Sequence, residues 1–483
     1  MDTTPTIAAT IPDGVIDRLK EALGPGGWID DAHDMAPYLT DRRGLYPAAS
    51  ALVTRPKSVA EVQAVVRICA EANIGIVPQG GNTGLTCGSV PNERGNEIVL
   101  SLSRMNTVRE VDAANSTITV DAGCVLADIQ AAAAKADRLF PLSLGSEGSC
   151  MIGGNLSTNA GGTGVLRYGN ARDLALGLEV VLPDGSLWDG LRGLRKNNTG
   201  YDLKHLFIGG EGTLGIITAA VMKLFPLPRD TVTAFAAVPD VQGAMELFAR
   251  TRAAAGETLS GCETLPRTCI DIVLRHLPDC RDPLAEAHPW YVLLELTATT
   301  PGSDLQGTME DVLGDAAEAG VVLDATIAAN AEQAAALWGL REGIAQIKPD
   351  EGASTNHDIS VPLSKVADFV DEAIATVESQ FSGVRALAFG HLGDGNIHFS
   401  AMQPIGADPD EFLSHNSDAL YRLVHDIAQG MGGSFSAEHG IGRVRRGEFE
   451  YYKSDIERDL MGRIKTAFDP QGLMNPGKVL DPN

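Results

Sequence analysis

Apolar residues change their period along this chain, and the changes mark out its elements. Apolar positions three and four apart between Asp13 and Leu23 predict a helix, closed by Gly24-Pro25-Gly26-Gly27. Val53 lies in a short strand. Ser58-Val-Ala-Glu61 is a capping box that opens an amphipathic helix to about Ala72, and Ile74 to Val77 returns to strand. Further strands are expected at Glu97–Leu102 and Thr117–Asp121, with a helix at Leu126–Ala136. Glu179–Leu182 and Leu187–Trp188 flank Pro183-Asp184-Gly185, whose turn chemistry suits a hairpin.

Pro226-Leu-Pro228 marks a boundary. Beyond it strand and helix alternate: Val232–Val238 with Met245–Ala255, Tyr291–Thr297 with a helix near Met309–Ala317, and Ile359–Val361 with Val366–Glu378. Such spacing suits an antiparallel sheet covered on one face by helices. A helix around Ile456–Ala467 and the loop Asp469 to Gly477 close the chain. The expected class is α+β in four parts: an N-terminal helical segment (1–50), a mixed block (51–228), a cap (229–431) and a C-terminal segment completing the site (432–483).

At 483 residues the chain is too long for one core, and 44% hydrophobic with 21% charged residues describes an ordinary soluble protein able to bury a large cofactor. The formal charge of −25 opposes nucleic acid and anionic lipid as partners. The start lacks a basic stretch followed by an apolar core, and no run of about twenty apolar residues occurs. A soluble, cytoplasmic protein is expected. Seven cysteines form no C-x-x-C pair, which argues against an iron–sulfur cluster or a disulfide framework and for small buried hydrophobes. The oligomeric state stays open, a homodimer included.

Two nucleotide motifs are near misses. Gly210, Gly212 and Gly215 have G-x-G-x-x-G spacing, but they follow a helix-like stretch, Asp202–Phe207, and lead into a strand-forming run from Ile216 to Phe225, the reverse of a Rossmann turn. Gly472-x4-Gly477-Lys478 has Val479 where a magnesium-binding hydroxyl is needed.

Two glycine-rich loops remain. Pro78-Gln-Gly80-Gly81-Asn82-Thr83-Gly84-Leu85 follows a strand, so its unhindered N–H groups suit a pyrophosphate without a helix dipole. The second runs from Gly145 to Gly162; its Gly145, Ser146, Gly148, Ser149, Gly153, Gly154, Asn155, Thr158 and Asn159 permit close approach and offer hydrogen bonds to a polar ring edge. Alone, each also suits a plain surface loop. Gly390-His391-Leu-Gly-Asp-Gly-Asn396-Ile-His398 reads as strand, tight turn, strand, and brings two imidazoles to one side of a hairpin. Ser436-Ala-Glu438-His439-Gly440 adds a carboxylate and a third imidazole. Two His plus one carboxylate suit a catalytic divalent cation, although a bare His-x6-His is also met as two unrelated histidines.

The run Arg195 to Thr218, with Glu211, Gly212 and Ile217 inside it, resembles the second flavin segment of the FAD-linked D-2-hydroxyacid dehydrogenases, and both loops resemble FAD loops of vanillyl-alcohol oxidase-type flavoproteins. The resemblance covers most of residues 50 to 483. It implies a vanillyl-alcohol oxidase/PCMH-type FAD-binding domain with an antiparallel-sheet cap covered by helices. Flavin contacts are implied at the loop residues above, at Glu211, Gly212 and Ile217, and at Asn475. Covalently flavinylated members carry His near Asn82, so non-covalent FAD is implied here. Zinc or manganese falls to His391, His398 and Glu438, the general base to His439, and substrate binding to Arg341 of Trp338-Gly-Leu-Arg341-Glu and to Asn396. Without the resemblance Arg341 also suits a helix-surface ion pair. An electron-transfer flavoprotein or a quinone is the implied acceptor. A Thr and a Lys that grip a distal carboxylate in D-2-hydroxyglutarate dehydrogenases are Ala345 and Asn356 here; Lys348 is an alternative cation. The runners-up are a flavin-dependent alkyl transferase and a non-catalytic electron-carrying flavin subunit.

Overall fold

The computed structural model describes residue 8 and residues 10–480. The side chains of residues 345, 346, 348 and 349 lie outside the described residues, and with them the expectations for Ala345 and Lys348. The chain forms two compact units. The first comprises the described chain through Gly162, Tyr168–Leu227, and the segment from Glu438 onward; the second comprises Thr163–Arg167 and Pro228–Ala437.

In the first unit a four-stranded sheet runs in the order Trp28–Ile29, Val53–Thr54, Glu97–Ser101, Gly75–Gln79, the last three mutually parallel. Helices Val15–Leu23 and Val59–Ala72 bury Leu19, Val62, Val65 and Cys69 with Ile74, Ile76 and Ile98. Ser58 caps the second helix through Glu61 N, but the Glu61 carboxylate accepts from Lys57 N, so only half of the expected box forms. A five-stranded antiparallel sheet orders Val108–Asp112, Thr117–Asp121, Ile216–Lys223, Ala175–Val181, Leu187–Gly190. The hairpin about Asp184 is there, with Val181 opposite Leu187. The C-terminal loop lies along the strand that feeds the first glycine loop: Ile76 N donates to Leu473 O at 2.8 Å, and Asn475 N to Ile76 O at 2.8 Å.

The second glycine-rich stretch is not all loop. It contains a helix, Ile152–Thr158, despite two glycines of poor helix propensity. Tertiary bonds decide the matter: Ile152 N donates to Cys124 O and Gly153 N to Ala122 O. A Cβ on Gly153 would lie 2.8 Å from that of Ala122, so the glycine permits the approach.

The second unit is built on a seven-stranded antiparallel sheet, ordered Asp324–Ile327, Asp230–Val238, Trp290–Ala298, Leu259–Pro266, Arg385–His391, Asn396–Met402, Ser354–Ser360. Ala234, Ala236 and Val238 face one apolar cluster, with helices Val241–Ala255, Leu305–Glu318, Val366–Gln380 and Pro409–Gly430. Phe235 and Ala237 face another, with Arg267–His276 and Ala331–Ile347. The expectation of helices on one face thus needs a second layer. The inner strands are apolar on both sides, and both must be covered. The strand Leu259–Pro266 and the helices Arg267–His276, Ala331–Ile347 and Pro409–Gly430 were not foreseen.

The seven cysteines form no disulfide, and six of them are buried. Among the described residues no helix is long and apolar enough to cross a membrane. Phe140, 1% exposed, fills the core of the first unit. Phe140→Ala is expected to cost about 3–5 kcal/mol, read as a fall in the denaturant midpoint of that unit's unfolding without change in the m-value.

Candidate active site

A cleft open to solvent lies in the first unit. Pro78, Gly80, Gly81, Asn82, Thr83 and Gly84 line it from the first loop, Gly153, Gly154, Asn155 and Thr158 from the second, and Glu211, Gly212 and Ile217 from the run after Gly210. Leu85, Gly145, Ser146, Gly148, Ser149, Asn159 and Asn475 are not in the lining. Asn159 ends the helix Ile152–Thr158 in the left-handed region, its oxygen accepting from Arg172 N. Asn475 stands behind the cleft, donating to Gly88 O and Glu211 O. Ser149 abuts the first loop: a Cβ on Gly81 would lie 2.2 Å from its carbonyl oxygen.

Lining residues the sequence did not offer include Gln79, Thr86, Gly88, Ser89, Ser157 and Gly215. Gly88-Ser89 continues the small polar run past Leu85, a signal that was available. Asn82, at φ +53, donates to Pro37 O and Thr40 O and accepts from Ser89 Oγ. The lining suits FAD. A Cβ at Gly84 or Gly154 would meet nothing within 4 Å, so the backbone is bare there. Asn155 Oδ1 is buried with no hydrogen-bond partner among the described residues, an acceptor for the N–H of a ring edge.

Glu211 lines the cleft as expected, and its carboxylate faces the chain. Both its carboxylate oxygens are engaged by main chain, from Ile441 N and Gly442 N, at 2.7 Å each. Burial pushes its carboxyl up to about 7, against the pull of those two N–H groups.

In the second unit the strands Arg385–His391 and Asn396–Met402 pair with His391 opposite Asn396 and Phe389 opposite His398. Residues two apart share a face, so both imidazoles lie on one side, ring centroids 5.4 Å apart. His391 Nδ1 meets Glu263 Oε1 at 2.7 Å, and Arg341 Nε donates to Glu263 Oε2 at 2.7 Å. Burial alone would push the Glu263 carboxyl up, but His391 and Arg341 outweigh it and hold it below the ordinary glutamate value. An ionised carboxylate only accepts, so His391 carries a proton on Nδ1; in its neutral form an imidazole held this way has Nε2 left as the ligating nitrogen. The Arg341 guanidinium also lies 4.9 Å from the Phe389 ring centroid.

Glu263 was not foreseen, because its strand was not. Asp358 was missed too; its Oδ1 lies 3.8 Å from His398 Nδ1, a further oxygen donor beside the imidazole. Asn396, expected to bind substrate, is buried, and its Nδ2 donates to Asp358 Oδ1 and Ile359 O, which orients Asp358. Asn356 accepts from Ser400 Oγ at 3.0 Å. In the first unit Glu438 Oε2 accepts from Gly162 N at 3.0 Å, and Glu438 Oε1 lies 3.8 Å from His439 Nε2.

Residues 50–190 match the FAD binding domain family, and residues 227–479 match the C-terminal domain of FAD linked oxidases. The chain belongs to the FAD linked oxidases. Within curated proteins it is 38% identical over 462 residues to the mitochondrial D-2-hydroxyglutarate dehydrogenase of Danio rerio, covering 96% of this chain and 84% of that one. It is 38% identical over 464 residues to the Bos taurus enzyme of the same name, covering 95% and 82%. A solved structure of p-cresol methylhydroxylase superposes with TM-score 0.77 at 16% identity, over 98% of this chain and 99% of that one. The fold is the expected PCMH-type FAD-binding domain with a sheet cap.

The relatives overturn the cytoplasmic expectation, since both are named mitochondrial. That expectation rested on the lack of a basic start and apolar core, a pattern that does not detect an amphipathic, Arg- and Ser-rich transit peptide.

Gly81→Ala, with its Cβ driven onto Ser149 O, is expected to distort the first loop. The purified variant should lose most of the flavin's visible absorbance while keeping its far-UV circular dichroism.

Proposed function

We propose that this chain is an FAD-dependent dehydrogenase that oxidises a D-2-hydroxy acid, of the D-2-hydroxyglutarate or D-lactate kind, to the 2-oxo acid. The observation that carries the reading is Glu263 gripping Arg341 and His391 at 2.7 Å each, on a sheet face that also presents His398. It fixes a carboxylate-binding cation and metal-type imidazoles in one rigid frame. FAD, when bound, supplies the hydride acceptor, and a divalent cation, zinc or manganese, supplies the charge that lowers the pKa of the substrate hydroxyl.

In this reading His391, His398 and Glu438 hold the cation, with Asp358 beside His398. Arg341 binds the substrate α-carboxylate by charge-assisted hydrogen bonds. His439 takes the hydroxyl proton as the Cα hydrogen leaves with its electron pair. The two electrons pass on to an electron-transfer flavoprotein or a quinone. The alkyl transferase and the electron-carrying subunit are not favoured, because the relatives at 38% identity are named dehydrogenases.

Anaerobic mixing with a panel of D- and L-2-hydroxy acids tests the proposal. A D-acid should bleach the flavin, and metal chelation should abolish the bleaching; a flavin-loaded protein that no acid reduces removes the reading. His439→Ala should keep the flavin spectrum and slow reduction about a hundredfold. Glu263→Gln should weaken zinc binding about 10–100-fold, measured by competition with a chromophoric chelator.

A further inference from the structure

Glu211 sits in the lining of the flavin cleft, yet its side chain turns to the loop that carries His439. Residue and loop belong to the same unit. Its two oxygens accept from consecutive amides, Ile441 N and Gly442 N, at 2.7 Å each. Successive N–H groups converging on one anion form a backbone nest. Two glycines make the turn possible, Gly440 at φ +77 and Gly442 at φ +51. A Cβ on Gly440 would lie 2.8 Å from Glu211 Oε1, and one on Gly442 would lie 2.1 Å from Thr86 O.

The opposite side of the turn is also pinned. Thr86 Oγ1 donates to His439 O at 3.3 Å, and Thr86 O accepts from Arg443 N and Val444 N. Glu211 itself is immobilised: its N–H donates to Ser157 O and its carbonyl accepts from Asn475 Nδ2. A neutral amide side chain has one acceptor oxygen to share between the two amides, and its other terminus is a donor. The carboxylate gives one charged oxygen to each amide in parallel and so sets the orientation as well as the position of the turn.

We infer that Glu211 is a positioning residue for His439, acting through the main chain of Ile441 and Gly442 rather than by touching substrate. The inference rests on the proposed reading of His439 as the base. Nothing in it requires Glu211 to exchange a proton during the reaction.

Glu211→Gln in the flavin-loaded enzyme replaces one acceptor by an NH2 that faces an N–H. The limiting rate of anaerobic reduction should fall by about tenfold to a hundredfold, the scale of a misplaced catalytic group. The half-saturating substrate concentration and the flavin spectrum should not change. Amide exchange in the peptide spanning 439–443 should quicken. In a His439→Ala background the same substitution should add nothing, since both changes then remove one function. Gly440→Ala, which pushes the turn off the carboxylate, should reproduce these effects if Glu211→Gln does not fold.

The outcomes separate the two ideas. Wild-type reduction by His439→Ala removes the base and the inference with it. Slow reduction by His439→Ala with a wild-type rate, unchanged exchange, or fully multiplicative slowing from Glu211→Gln overturns the inference alone.

Discussion

A carboxylate taken out of water destabilises the fold unless both its oxygens find donors. Each unit of this protein contains such a group, and each is bound on both oxygens. In the sheet unit Glu263 joins a guanidinium to an imidazole. In the flavin unit Glu211 joins two consecutive amides of a glycine turn. Neither oxygen can be given up cheaply, because the orphaned atom stays buried. The groups held by these carboxylates are therefore fixed more firmly than surface residues of the same type, which is what catalytic groups require.

Around the cleft the constraint is reversed. The atoms that face a cofactor must be backbone, so side chains have to be absent rather than well placed. Gly81 lets the first loop press against Ser149, Gly153 lets a helix press against Ala122, and Gly84 and Gly154 leave bare main chain. The C-terminal loop locks this arrangement from behind: Asn475 bonds to Ile76, Gly88 and Glu211 at once. Lys465 adds to the lock by donating to Thr213 O, Met474 O and the Asp469 carboxylate.

What could be read from the sequence follows from how local each signal is. The strand Thr117–Asp121, the helix ending at Ala72 and the turn at Asp184 are set within a few residues, and they stand where their patterns put them. His391 and His398 came together because a tight turn and a period of two are also local. Glu263 was hidden, since Leu-Ser-Gly-Cys-Glu-Thr-Leu-Pro has no clean alternation and its strand is made by neighbours on both sides. Ile152–Thr158 was hidden for a similar reason: contacts with residues 122 and 124 outweigh the helix-breaking tendency of its glycines. Glu211 was visible as a residue, but its partners lie 230 and 231 positions away. Motif resemblance names a neighbourhood, and only long-range pairing assigns the role within it.

Electrostatics adds a last constraint. With 63 acidic and 38 basic residues, the chain as a whole repels an anionic 2-hydroxy acid. Salt screens that field beyond about 8 Å under physiological conditions, so capture depends on groups close to the ligand. Arg341 is buried and already ion-paired with Glu263, so the pair carries no net charge. What Arg341 offers a carboxylate is direction, through a rigid fork of donors, more than attraction. Net positive charge has to come from another source, and in the proposed reading the divalent cation is that source. The cation would then serve anion binding as much as hydroxyl activation.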